Sequence, residues 1–135
     1  MQELEFVSWL GVFLAALSAF VLGGLWYAPF LFGKPWLKAT KLTDADLASG
    51  NKALTFGGSF VLALIAAFVF AMFIGPSPGI PFAAGAGFAA GLFWVATSFG
   101  INYLFEKKSL ALFFVNGGYH TVQFTLYGLI IGALQ

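Results

Sequence analysis

The chain holds 135 residues, of which 61% are hydrophobic, 19% aromatic and only 8% charged; its formal net charge is +1. A soluble domain carries about 25% charged residues, so water is the wrong solvent for most of this surface, and a soluble enzyme, a nucleic-acid binder and a disordered chain are excluded. Cysteine is absent, which removes disulfides, thiolate metal sites and cysteine nucleophiles.

A helix needs about 20 apolar residues to cross about 30 Å of hydrocarbon. Four stretches have that length: 6–32, 54–74, 80–105 and 110–134. They are apolar on every side instead of alternating at period two, and backbone groups in lipid must be satisfied within the segment, so each predicts a helix. The expected fold is all-α, a single membrane domain over 1–135 built as a bundle of four transmembrane helices. The first stretch follows Met-Gln-Glu-Leu-Glu, acidic where a secretory signal is basic, and it outruns a signal core. It is therefore expected to remain as a helix. It leads into Trp26 and Tyr27, expected as interfacial anchors, and Pro29, expected to kink the helix near its end.

The loop 33–53 mixes Lys34, Lys38 and Lys41 with Trp36 and Leu37, a composition suited to the headgroup layer. Within it Thr43-Asp44-Ala45-Asp46 reads as a capping box opening a short helix that Gly50-Asn51 ends. Between the second and third spans, loop 75–79 is short and rich in glycine and proline, which predicts a tight antiparallel hairpin. All six lysines fall in the loops on one side, whereas Glu3, Glu5 and both termini fall on the other. The positive-inside rule makes the lysine side cytoplasmic, N-out and C-out, in a cell membrane.

The third span carries Gly87, Gly91, Trp94 and Ser98 at spacings of 4, 3 and 4, with Asn102 continuing that face. Asn116, His120, Gln123 and Tyr127 repeat the same spacing on the fourth. Folding the hairpin about Lys107–Lys108 brings Ser98 near Asn116, Trp94 near His120 and Gly91 near Gln123, with Gly87 and Gly91 permitting close approach. A polar stripe does not face lipid, so it is expected to point inward. It serves either as interhelical glue, worth about 0.6 kcal/mol per bond, or as a small polar pocket around the lone His120. The candidate ligand-binding residues are thus His120, Asn116, Gln123, Ser98, Asn102, Trp94 and Tyr127.

No carboxylate lies at the depth of Ser98 and His120 to complete a triad, and one histidine makes no metal site, so neither an enzyme nor a cofactor is expected. The expected function is binding or passage of a small solute or ion through the inward polar site. The alternative is a structural or accessory subunit whose stripe only fixes helix packing. The expected partners are the lipid bilayer, a small solute or ion, and a second copy in a symmetric dimer, with no nucleic acid.

The stretch from Gly24 to Leu37, with Trp26-Tyr27-Ala-Pro29 followed by Phe32-Gly33-Lys34-Pro-Trp36, resembles the signature of the domain-of-unknown-function 1761 family. Asn102-Tyr-Leu-Phe-Glu106 and Asn116-Gly-Gly-Tyr-His120 resemble its later motifs. The resemblance covers nearly the whole chain. It implies a small, largely bacterial four-helix membrane protein and brings no activity with it. It adds interest to Trp26, Tyr27, Pro29, Asn102, Asn116 and His120, which stand at its motif positions.

Overall fold

The computed structural model describes residues 4–135, so Glu3, assigned above to the lysine-free side, lies outside the described residues. Among the described residues the long elements are all helices. They are α1 (Trp9–Trp26), α2 (Gly33–Thr40), α3 (Asp44–Ala48), α4 (Lys52–Ile74), α5 (Ile80–Ala90), α6 (Thr97–Glu106) and α7 (Leu110–Leu134), with α5 passing into α6 through a π-helical segment, Gly91–Ala96. Three rods are long and apolar enough to cross a membrane: Trp9–Trp26, Lys52–Ile74 and Ile80–Glu106. α7 matches them in length with 25 residues, but its amides, its histidine and its tyrosines make it less apolar.

α1 starts behind Ser8, whose side chain accepts from the Gly11 N–H, and it stops at Trp26, well short of residue 32. Pro29 has no N–H and disfavours a helical Ala28 before it, so it ends the helix where a kink was expected. The chain then turns sharply, with the Phe32 N–H on the Trp26 carbonyl and the Gly33 N–H on the Ala28 carbonyl, both at 3.0 Å. Gly33 is required here, since a Cβ would sit 2.9 Å from that Ala28 oxygen. It opens α2, a helix the loop composition did not announce. α3 carries the reciprocal cap: Asp46 N–H donates to the Thr43 hydroxyl at 3.1 Å, and the Asp46 carboxylate accepts from the Thr43 N–H at 2.9 Å.

α7 lies at the centre, against α5 and the π segment on one side and against α1 on another, with α2 across its start. α4 packs on α1 and barely meets α5 or α7. The core shared by these helices is rich in small residues: Ala15 and Ala16 of α1 and Ala67 and Ala71 of α4 are all fully buried. Trp9 stacks on Phe68 with centroids 5.2 Å apart, and Phe20 meets Phe60 edge-on at 5.5 Å.

The hairpin of α4 and α5 is open, not tight. A groove of about 670 Å³ separates the two helices, walled by Phe70, Phe73, Phe82 and Phe93 with Phe124 of α7 also lining it. The physical reason lies in the glycines of α5, which favour the backbone of α7 over the bulkier α4. A Cβ on Gly87 would strike the Phe124 carbonyl, and one on Gly128 would strike the Ala83 carbonyl, so the two backbones touch. The outer faces are greasy: Phe105 is 85% exposed and Leu104 is 81% exposed. Such surfaces suit acyl chains better than water.

The two ends of the rods differ in character. At one, the Gln135 carboxamide donates to the carbonyls of Ala71 at 2.9 Å and Gly75 at 2.7 Å and accepts from the Ser8 N–H at 3.2 Å, tying α1, α4 and α7 together. The other end gathers Lys38, Lys41, Lys107 and Lys108.

Candidate functional site

Along the third rod, the face toward α7 repeats every four residues through Ala83, Gly87 and Gly91, all buried. The π segment widens the next turn by one residue, so the buried face resumes at Ala96 and continues through half-buried Phe99 and Tyr103. One extra residue turns everything beyond it by about 100° relative to an unbroken α-helix. Trp94 is therefore 70% exposed. Ser98 and Asn102 also face outward, and the Ser98 hydroxyl donates to the Trp94 carbonyl at 2.6 Å. The expected pairs Ser98–Asn116 and Trp94–His120 are not formed. Phe99 and Tyr103 stand in their place.

The stripe on α7 does turn inward, in two parts. Asn116 accepts from the Tyr27 hydroxyl and donates through Nδ2 to the Tyr103 hydroxyl, both at 2.7 Å. One amide thereby joins the end of α1 to α6. A turn later, His120 pairs through Nδ1 with Gln123 Oε1. Gln123 donates to the Tyr127 hydroxyl at 2.7 Å, and that hydroxyl donates to the Ala63 carbonyl of α4 at 3.3 Å. Gln123 and Tyr127 are buried.

This second chain has a direction. A carbonyl only accepts, so the Tyr127 proton goes to Ala63 and the Tyr127 oxygen must accept from Gln123. The amide nitrogen of Gln123 is then the donor, its oxygen faces His120, and the imidazole carries its proton on Nδ1. In the neutral ring Nε2 is then the acceptor. The ring lies flat against Phe99 at 5.0 Å, with Tyr119 edge-on at 4.9 Å.

Around these groups the aromatics close in. Trp26 Nε1 donates to the Val115 carbonyl at 2.9 Å, and its ring fills the space over Gly118, where a Cβ would lie 3.0 Å from it. The Tyr119 hydroxyl donates to the Ala19 carbonyl at 2.9 Å. Trp36 meets the Tyr27 ring edge-on at 5.8 Å. Trp26 and Tyr27, expected at the lipid boundary as anchors, are thus half-buried and turned onto α7; Pro29 and Lys34 are exposed. Tyr103, Tyr119 and Phe99 were missed from sequence. Tyr103 and Tyr119 each adjoin a residue that was singled out, Asn102 and His120, and the unbroken-helix spacing passed them over.

Chemically, this is a set of amides, phenols and one imidazole, bonded chiefly to one another. Among the described residues, no three His, Cys, Asp or Glu side chains come together to hold a metal ion. The three stretches that carry the family resemblance meet here: Trp26, Tyr27, Gly33 and Trp36 from the first, Tyr103 from the second, and Asn116, Gly118, Tyr119 and His120 from the third.

Residues 10–132 match the family described as protein of unknown function (DUF1761), and the chain belongs to it. No curated protein and no solved structure matches the chain.

Proposed function

We propose that this member of the DUF1761 family is a non-catalytic four-pass membrane protein, a structural or accessory subunit in which the polar face of α7 locks the other helices in place. One observation carries the reading: Asn116 engages both ends of its amide, with Tyr27 on one side and Tyr103 on the other. A polar group so occupied is a fastener between helices, and in lipid each such bond contributes about 0.6 kcal/mol on average.

In this reading α7 is the fourth crossing. Its 25 residues span roughly 37 Å at the helical rise, and its polar groups are shielded by α1, α5 and α6. The lysine-bearing end then faces the cytoplasm of a bacterial cell, with both termini outside. Assembly as a symmetric dimer belongs to the same reading and is checked by the mass of the protein in a nanodisc.

The test pairs stability with flux. Asn116→Leu and His120→Leu are expected to lower the melting temperature in detergent, while proteoliposomes of the unaltered protein leak protons and small solutes no faster than protein-free vesicles. Protein-dependent flux that His120→Leu abolishes, at an unchanged melting temperature, overturns the reading.

A second reading is favoured by a specific observation. Among the described residues His120 Nε2 has no partner while the ring is held between Phe99 and Tyr119, an arrangement able to take up a proton or a polar solute. It calls for pH-dependent flux that His120→Ala removes.

A further inference from the structure

At the lysine-bearing end, a cleft of about 570 Å³ opens between α2 and the turn joining α6 to α7. Lys38 and Lys41 stand on one wall, Lys107, Lys108 and Ser109 on the other, and among the described residues Glu106 is the one carboxylate lining it. Four cations thus face a single anion across a space of the size that small ligands occupy.

Two of those lysines sit where the backbone disfavours them. Lys41 ends α2 at φ 61°, and Lys107 ends α6 at φ 57°, both in the left-handed region. Glycine or asparagine takes that position with less strain. The helix dipole explains a cation somewhere near each helix end. It does not require the lysine to occupy the strained residue itself, nor two helix ends to direct their cations into one cleft. α7, by contrast, begins at this cleft, so its N–H end adds positive potential. Leu104 and Phe105, which directly precede Glu106 in the chain, are apolar and more than four-fifths exposed, a surface suited to acyl chains.

We propose that this cleft binds a phosphate group, presented by the headgroup of an anionic phospholipid at the boundary of the bilayer. Lysine suits phosphate as a mobile point charge with three donors. Basic pockets between membrane helices take anionic headgroups by the same chemistry. Inorganic phosphate offers the same oxygens but nothing to cover Leu104 and Phe105. The proposal rests on the bundle lying in a bilayer, and it is independent of whether the α7 stripe is a lock or a pore.

The experiment uses the full chain in a neutral detergent, titrated with phosphatidylglycerol, with phosphatidylcholine and with inorganic phosphate, and read by native mass spectrometry and melting temperature. Lys41→Asn/Lys107→Asn removes two charges and keeps a residue that tolerates the left-handed backbone; Lys38→Gln/Lys108→Gln removes the other two. Phosphatidylglycerol is expected to bind in preference to phosphatidylcholine, and inorganic phosphate to compete with it. Each lysine near an anionic surface is worth about fivefold in affinity, so either pair of substitutions weakens binding about 25-fold. Phosphatidylglycerol held equally well by both double variants overturns the site. Inorganic phosphate binding alone, with no further gain from the lipid, overturns the lipid as its source. A chain that enters neither detergent micelles nor vesicles defeats the membrane reading instead, which separates that failure from this one.

Discussion

Tyr27 and Asn116 are 89 residues apart in the chain and 2.7 Å apart in space, hydroxyl to amide oxygen. The bond crosses from the end of α1 to α7, and the same amide continues to Tyr103 at 2.7 Å. Removing one partner leaves the other polar group unmatched in an apolar setting. Tyr27→Phe is expected to cost about 0.6 kcal/mol, with about 1.7 kcal/mol as the upper bound for such bonds. Asn116→Ala breaks two bonds and costs more. A double-mutant cycle by unfolding in detergent should return a favourable coupling between the two residues; zero coupling would mean that the bond holds nothing.

Close approach of α5 and α7 is set by glycine. A Cβ on Gly87 meets the Phe124 carbonyl, which is backbone and has no rotamer to escape into, whereas among the described residues Gly85 has nothing within 4 Å of the equivalent atom. Gly87→Ala should therefore destabilise by about 1–3 kcal/mol or more, as overpacking does. Gly85→Ala should be neutral or stabilise by up to about 1 kcal/mol through helix propensity. Thermal unfolding of the two variants side by side checks the contrast. Equal effects would show that the helices are not in backbone contact.

The rods were legible in the sequence because hydrophobic length is a one-dimensional property: Leu54 to Ile74 falls inside α4, and Leu110 to Leu134 is α7 itself. The polar face of α7 was legible for a similar reason, since Asn116, His120, Gln123 and Tyr127 follow an unbroken helical period. Other features escaped, three of them for reasons visible in the backbone. Pro29 stopped α1 because the turn it makes is closed by Gly33, a contact no periodicity shows. The hairpin of α4 and α5 opened because Gly87 found a better partner in α7. And Trp94, Ser98 and Asn102 turned outward because the π segment alters the period that placed them inward. Local apolar length carries the elements; which face meets which neighbour depends on backbone contacts made elsewhere.

The π segment makes its own prediction. It holds one residue more than the α-helical repeat needs, and Phe93 within it is 62% exposed. Deleting Phe93 should let Gly91–Ala96 close into ordinary α-helix, with Ala83, Gly87, Phe99 and Tyr103 all kept on the α7 face. Deleting Thr125 from α7 should do the opposite, turning Tyr127, Gly128 and Ile131 by about 100° away from their partners. The first variant should fold with little loss and the second should not assemble, as judged by melting temperature and monodispersity in detergent.

Asp46, outside the long apolar helices, gives a pH dependence. Its carboxylate accepts first from the Thr43 backbone N–H and also bonds the Thr43 side chain, and these hold it below the usual aspartate range. A carboxyl depressed in the folded state stabilises that state at any pH above its unfolded value, about 3.9, and the contribution is lost as pH falls through the lower folded value. The start of α3 should thus keep its cap down to about pH 4 and loosen only below. An NMR titration should place the Asp46 midpoint under the ordinary value, and Thr43→Val, which keeps the backbone donor but loses the hydroxyl, should move it part of the way back. A midpoint at or above the ordinary value would contradict the cap.

The directed chain from His120 through Gln123 and Tyr127 to Ala63 fixes a tautomer, and the tautomer separates the two functional readings. If the imidazole acts only through its Nδ1 proton, an amide nitrogen at the same reach can replace it. His120→Asn should then lie within about 0.6 kcal/mol of the unaltered protein, one bond's average worth, while His120→Leu leaves the Gln123 oxygen unmatched and loses more. Nitrogen NMR of labelled protein should show the ring protonated at Nδ1 near neutral pH, and Tyr127→Phe, which removes the link to Ala63, should relax that preference. If Nε2 instead carries protons or solute, His120→Asn keeps the melting temperature and still abolishes pH-dependent flux, because an amide offers no basic nitrogen. Stability and flux together therefore decide between a fastener and a conduit with a single substitution.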